Sequence, residues 1–126
     1  EVGGVGINEK EAIALGIDYA VVTYGIDDLD RAITDGEDHG FIKVITPKGK
    51  DKILGATIVG NNAGELLAEF TLAMRHGLGL NKILGTIHPY PTMSEAVKYT
   101  AGVWKQANAP KGLLVWVEKY HRWMRK

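Results

Sequence analysis

The chain has no cysteine among its 126 residues. That excludes disulfides, thiolate nucleophiles and cysteine-based metal sites from it, and is compatible with a cytoplasmic setting. It has no excess of charge either: Lys+Arg 15 against Asp+Glu 15 gives a formal net charge of zero, a balance that gives no footing for a nucleic acid partner. No apolar run approaches the length of a bilayer span, and the first residues do not read as a signal peptide. No Gly-x-Gly-x-x-Gly follows a strand, no Gly-x-x-x-x-Gly-Lys loop is present, and no His-Glu-x-x-His occurs. Gly77-Leu-Gly79 comes after a helical pattern and reads as a cap and turn. The four histidines, His39, His76, His88 and His121, lie without ligand spacing, so no metal site is expected. Taken alone, the chain offers no cofactor pocket and no activated nucleophile.

What is present is the composition of a globular protein, 45% apolar and 24% charged, in a length suited to one compact domain. The chain opens without Met, on Glu1-Val2-Gly3-Gly4-Val5-Gly6, and reads as a part of something longer. Asn8, Glu9, Glu11 and Gly16 bracket a helix over 8–15. Tyr19–Tyr24 is rich in Val, Thr and Tyr and predicts a strand. Asp27–Asp35 predicts a short helix ended by Gly36. Phe41–Thr46 and Lys52–Val59 predict a β-hairpin around Pro47–Asp51. From Gly60-Asn61-Asn62 to about His76, Ala63, Leu66, Leu67, Phe70, Ala73 and Met74 recur at three- and four-residue steps, the stripe of an amphipathic helix ended by Gly77. A connection through Leu80–Leu84 follows. Thr92 to about Gln106 predicts a second such helix, with Met93, Ala96, Val97, Thr100, Val103 and Trp104 on the buried side. Leu113, Trp116, Val117, Tyr120, Trp123 and Met124 mark a last helix. The expected fold class is α+β: an antiparallel sheet with helices packed against one face, over 1–110, plus an appended amphipathic helix at 111–126.

One segment stands apart, Leu84-Gly-Thr-Ile-His-Pro-Tyr-Pro-Thr-Met-Ser-Glu95. It sets an imidazole, a phenol and a carboxylate around two prolines, each of which fixes its own φ and pushes the residue before it toward extended backbone. Tyr90 is thereby held still between Pro89 and Pro91. Blander roles compete at each position. Thr92-Met-Ser-Glu95 has the spacing of a capping box, in which the Thr92 hydroxyl accepts from the Glu95 N–H and the Glu95 carboxylate from the Thr92 N–H. Tyr90 alone could be a packing residue, and His88 alone a hydrogen-bonded structural one.

These residues resemble one family. Gly55-Ala-Thr-Ile-Val-Gly60, the helix with Gly64-Glu65-Leu66, Gly77-Leu-Gly-Leu80 and Ile87–Glu95 are similar, in the family's order, to the C-terminal dimerisation domain of the FAD-dependent pyridine nucleotide–disulfide oxidoreductases. Glutathione reductase, lipoamide dehydrogenase and mercuric reductase belong to that family. The similarity runs from Val2-Gly3 to about Gln106. It implies upstream domains that hold FAD and NAD(P)H together with a Cys-x-x-x-x-Cys pair, none of them in this chain. It also implies a homodimer, with the helix at 61–76, the 88–95 turn and the helix at 92–106 at the two-fold interface.

In the family the segment reads His-x-His-Pro-Thr-x-x-Glu, and the second His works with the Glu as an acid–base pair in the partner subunit's active site. Pro91, Thr92 and Glu95 match, and His88 falls on the first His. Tyr90 holds the place of the second. The resemblance therefore implies Tyr90 and Glu95 as catalytic residues acting in trans, with His88 in support, and His88 and Pro89 near the partner's flavin. A phenol, with an ordinary pKa of about 10, is a poorer base at neutral pH than an imidazole, but it donates a hydrogen bond and binds soft or anionic ligands. A Tyr here resembles the mercuric reductase branch. That branch carries a C-terminal cysteine pair, whereas this chain ends in Tyr120-His-Arg-Trp-Met-Arg-Lys126, which leaves the substrate open between a disulfide, Hg(II) and others.

A different class of function is a non-catalytic module whose helix at 111–126, rich in Trp, Lys and Arg, docks a protein partner or a membrane surface. The chain's neutrality and Glu118 on the polar face favour instead a helix that covers its own domain. A free-standing enzyme built from His88, Tyr90 and Glu95 lacks the groups that activate a nucleophile.

Overall fold

A computed structural model describes residues 1–26 and 40–108. In chain order the elements are β1 (Val2–Gly6), α1 (Glu9–Ala14), β2 (Tyr19–Gly25), β3 (Gly40–Pro47), β4 (Gly55–Gly60), α2 (Ala63–Arg75), α3 (Leu80–Leu84) and α4 (Glu95–Asn108). The four strands form one sheet in the order β1-β4-β3-β2, antiparallel at every step. The helices expected at Asp27–Asp35 and 111–126 lie outside the described residues.

Alternation decides which face is buried. On β2, Val22 and Tyr24 are buried while Val21 and Thr23 are exposed. The register sets Val22 beside Val44, Tyr24 beside Ile42, Ile42 beside Ile58 and Val44 beside Ala56. These side chains make one continuous apolar face, because successive residues of a strand point to opposite sides. The two long helices cover it, α2 over β1 and β4, and α4 over β2 and β3. From α2 come Ala63, Leu66, Phe70 and Ala73, and from α4 Ala96, Val97, Ala101 and Trp104. The expected α+β class, with an antiparallel sheet and helices packed on one face, is the observed one.

Val103, expected on the buried side of α4, is 37% exposed. It sits one residue, about 100° of helix, from the buried Trp104, which puts it at the rim of the buried arc while Ala101 falls within it. On the opposite side of the sheet Glu9 of α1 pairs with Lys43 and accepts a hydrogen bond from the Tyr19 hydroxyl at 3.1 Å. The Lys43 ammonium and the Tyr19 hydroxyl hold the Glu9 carboxyl below its ordinary range, and the same bond raises the Tyr19 phenol.

Helix ends show where local pattern suffices. Asn8 Oδ1 accepts from the Glu11 N–H at 2.8 Å and Glu11 returns to the Asn8 N–H, a complete capping box for α1. At α2 the expected opening residue, Asn62, is left-handed (φ 62) and makes no side-chain cap. The Glu1 carboxylate instead accepts from the Ala63 N–H at 3.1 Å. Leu80–Leu84, expected as a plain connection, is a helix. Asp51 secures its start by accepting from the Asn81 N–H with Oδ2 at 3.0 Å and from the Leu80 N–H with its carbonyl at 2.9 Å. β4 begins at Gly55 rather than at Lys52, and just before it the Leu54 N–H still donates to the Ile45 carbonyl of β3 at 2.8 Å. Among the described residues no helix is long and apolar enough to cross a membrane.

Candidate functional site

The turn between α3 and α4 carries the candidate residues, and it is tied down at several points. Thr86 donates from Oγ1 to the Lys82 carbonyl at 2.7 Å, continuing the end of α3. The His88 ring is turned inward, its side chain 4% exposed, with Nδ1 2.8 Å from the Thr86 carbonyl and Nε2 2.7 Å from Glu69 Oε2. A carbonyl only accepts, so Nδ1 carries the proton of that bond. Glu69 belongs to α2, so this contact joins the turn to the helix that covers the far half of the sheet. The peptide bond between Tyr90 and Pro91 is cis.

The entry to α4 differs from the expected one. Half of the capping box is present: Glu95 Oε1 accepts from the Thr92 N–H at 3.1 Å. The other half is not. The Thr92 hydroxyl donates to the Pro89 carbonyl at 2.6 Å and lies 2.8 Å from Ser94 Oγ, so it ties the turn to itself instead of receiving the Glu95 N–H. The helix accordingly starts at Glu95, three residues later than Thr92.

Glu95 is 6% exposed, and its Oε2 accepts from the Tyr99 hydroxyl at 3.0 Å. Tyr90, by contrast, is 69% exposed. Both line one open cleft of about 510 Å³, together with Tyr24, Leu84, Lys98 and Tyr99. The Tyr24 and Tyr99 rings pack with centroids 5.8 Å apart at 46°. His88 and Pro89 line a different depression of about 330 Å³, whose wall is largely apolar: Leu72, Leu78, Ile83 and Ile87. The geometry therefore unites Tyr90 with Glu95 and sets His88 apart, bound to Glu69. Both ring nitrogens of His88 are engaged inside the domain, with Thr86 and Glu69. Among the described residues no group of three or more His, Asp or Glu side chains is arranged to hold a metal ion.

Two further contributors, Tyr99 and Glu69, come from outside the motif. Tyr99 stands four residues after Glu95, the spacing at which helical side chains meet, and that signal was available. Glu69 precedes His88 by nineteen residues, and no local pattern joins them.

A four-stranded antiparallel sheet backed by two helices, with a braced Pro-flanked turn presenting a phenol and a carboxylate, defines an α+β domain that displays a site on its surface. Residues 1–101 match the family described as pyridine nucleotide-disulphide oxidoreductase, dimerisation domain, and the chain belongs to that family. It is 43% identical over 101 residues to a dihydrolipoyl dehydrogenase of Halobacterium salinarum, covering 80% of this chain and 21% of that protein. A mitochondrial dihydrolipoyl dehydrogenase of Dictyostelium discoideum matches with the same identity and coverage. The solved structure of the HOCl-induced flavoprotein disulfide reductase RclA from Escherichia coli superposes with a TM-score of 0.75 at 25% identity, over 81% of this chain and 23% of that one. The chain thus spans about a fifth of the length of these relatives.

Proposed function

We propose that this domain forms the homodimer interface of an FAD- and NAD(P)H-dependent oxidoreductase and lends Tyr90 and Glu95 to the active site of the partner subunit. The observation that carries the proposal is the pairing of an exposed Tyr90 with a buried, hydrogen-bonded Glu95 on one cleft, on a turn braced from both flanking sides. Residues 1–110 serve as the dimerisation domain, with 111–126 as a segment appended to it. FAD and NAD(P)H belong to upstream domains of the same protein, which supply the electron transfer. His88 supports the site by tying the turn to α2, and it and the exposed Pro89 are the parts of the turn set nearest the partner's flavin. The apolar depression beside the turn, with Ile87 92% exposed on its wall, supports placing a second copy there. The reaction is NAD(P)H-linked reduction of a disulfide or of Hg(II), in the cytoplasm, with Tyr90 acting as a hydrogen-bond donor to the reacting group.

The test is Tyr90→Phe in the full-length protein, assayed with lipoamide and with Hg(II). Loss of the hydroxyl should lower kcat about ten-fold or more while the dimer and the flavin content stay intact. Unchanged turnover on both substrates makes Tyr90 a packing residue and ends the proposal for it.

A further inference from the structure

Glu95 is held from two sides by donors on its own chain, the Thr92 N–H at Oε1 and the Tyr99 hydroxyl at Oε2. A glutamate side chain with neither contact samples several rotamers. One that accepts at both oxygens keeps a single orientation, and hydrogen bonds to an ionised acceptor are the stronger kind. Tyr99 is suited to hold it. One turn further along α4, it stands over the same helix face as Glu95. Its ring packs against Tyr24 of β2, whose side chain belongs to the core. The hydroxyl is therefore referenced to the sheet as well as to its own helix. His88, the imidazole nearest in sequence, is committed to Glu69 in the neighbouring depression.

We infer that Tyr99 is a positioning residue for Glu95, fixing the carboxylate on the cleft wall beside Tyr90. The inference rests on the proposed role of Glu95 in the partner's active site. Tyr99 acts through Glu95: its hydroxyl sets where the negative charge stands, and the effect on turnover follows from that placement.

The experiment is a double-mutant cycle in the full-length holoenzyme, with NADH-dependent reduction of lipoamide and of Hg(II) as the two probes. Tyr99→Phe keeps the ring and its packing on Tyr24 while removing the donor. It should lower kcat about ten-fold with KM, flavin content and dimer unchanged. In a Glu95→Ala background the same change should have no further effect, because the acceptor is already gone. Tyr99→His, which keeps a ring N–H donor, should recover part of the loss. Equal losses from Tyr99→Phe in both backgrounds, or no loss where Glu95→Ala alone is impaired, overturn the inference and leave the role of Glu95 standing. Full turnover by Glu95→Ala overturns the role of Glu95 and the inference with it.

Discussion

A carboxylate that is 6% exposed and accepts two hydrogen bonds is a structural member whatever else it does. Glu95→Ala leaves the Thr92 N–H and the Tyr99 hydroxyl without this acceptor, and should lower the unfolding free energy of the 126-residue chain by about 2 kcal/mol. Glu95→Gln keeps one carbonyl oxygen and should cost about 1 kcal/mol. Urea denaturation of both variants measures the difference, and equal losses would mean that the carbonyl oxygen kept by glutamine contributes nothing to stability. Activity separates the second role, since a variant that is stable but slow has lost chemistry rather than a cap. At this scale the sequence was readable where the motif is contiguous: Tyr90 and Glu95 do share a cleft, and Pro89 and Pro91 do flank an exposed phenol. It was not readable for His88, whose partner Glu69 comes from α2, because a side chain's orientation depends on what the fold brings to it.

Elements whose ends are closed by their own neighbours were legible, and those closed from a distance were not. Asn8 and Glu11 cap α1 across three residues, and the helix at Glu9–Ala14 lies within a residue or so of the expected 8–15. The stripes of α2 and α4 found the apolar face of the sheet, because burial repeats with the helical period. The start of α3 depends on Asp51, thirty residues earlier in the chain, and the start of α2 on Glu1. No window of a dozen residues contains those contacts. The Asp51 contact also explains the close approach at Gly79, where an added Cβ would stand 2.3 Å from the Asp51 carboxylate. Asp51→Ala should therefore cost about 1 kcal/mol, the usual effect of removing a side-chain cap, and Asp51→Asn, which still accepts, distinctly less. Chemical denaturation again provides the measurement. If Ala and Asn behave alike, the carbonyl of residue 51 alone secures α3.

For the molecule as a whole, the unused apolar surface bears on how two copies meet. One face of the sheet is sealed by α2 and α4, and its opposite face keeps Val21 and Phe41 partly exposed. Among the described residues, the depression beside the candidate turn is a second apolar region, with Leu72, Leu78 and Ile87 exposed around it. If the turn is to reach a partner's active site, this region should be covered in the dimer and the open sheet face should not be part of the same contact. Ile87 tests the distinction cleanly, because at 92% exposure it contributes little to the fold of a single copy. In a two-fold interface one substitution is present twice. At about 1.5 kcal/mol for each buried charge, Ile87→Glu should weaken the full-length dimer by about 3 kcal/mol, on the order of a hundred-fold in dissociation constant. Sedimentation velocity over a concentration series reads that change directly. Val21→Glu, on the opposite face, serves as the comparison and should leave association as it is in the wild type. The reverse result, a dimer indifferent to Ile87→Glu and broken by Val21→Glu, would place the contact on the open sheet face and take Tyr90 away from the partner subunit.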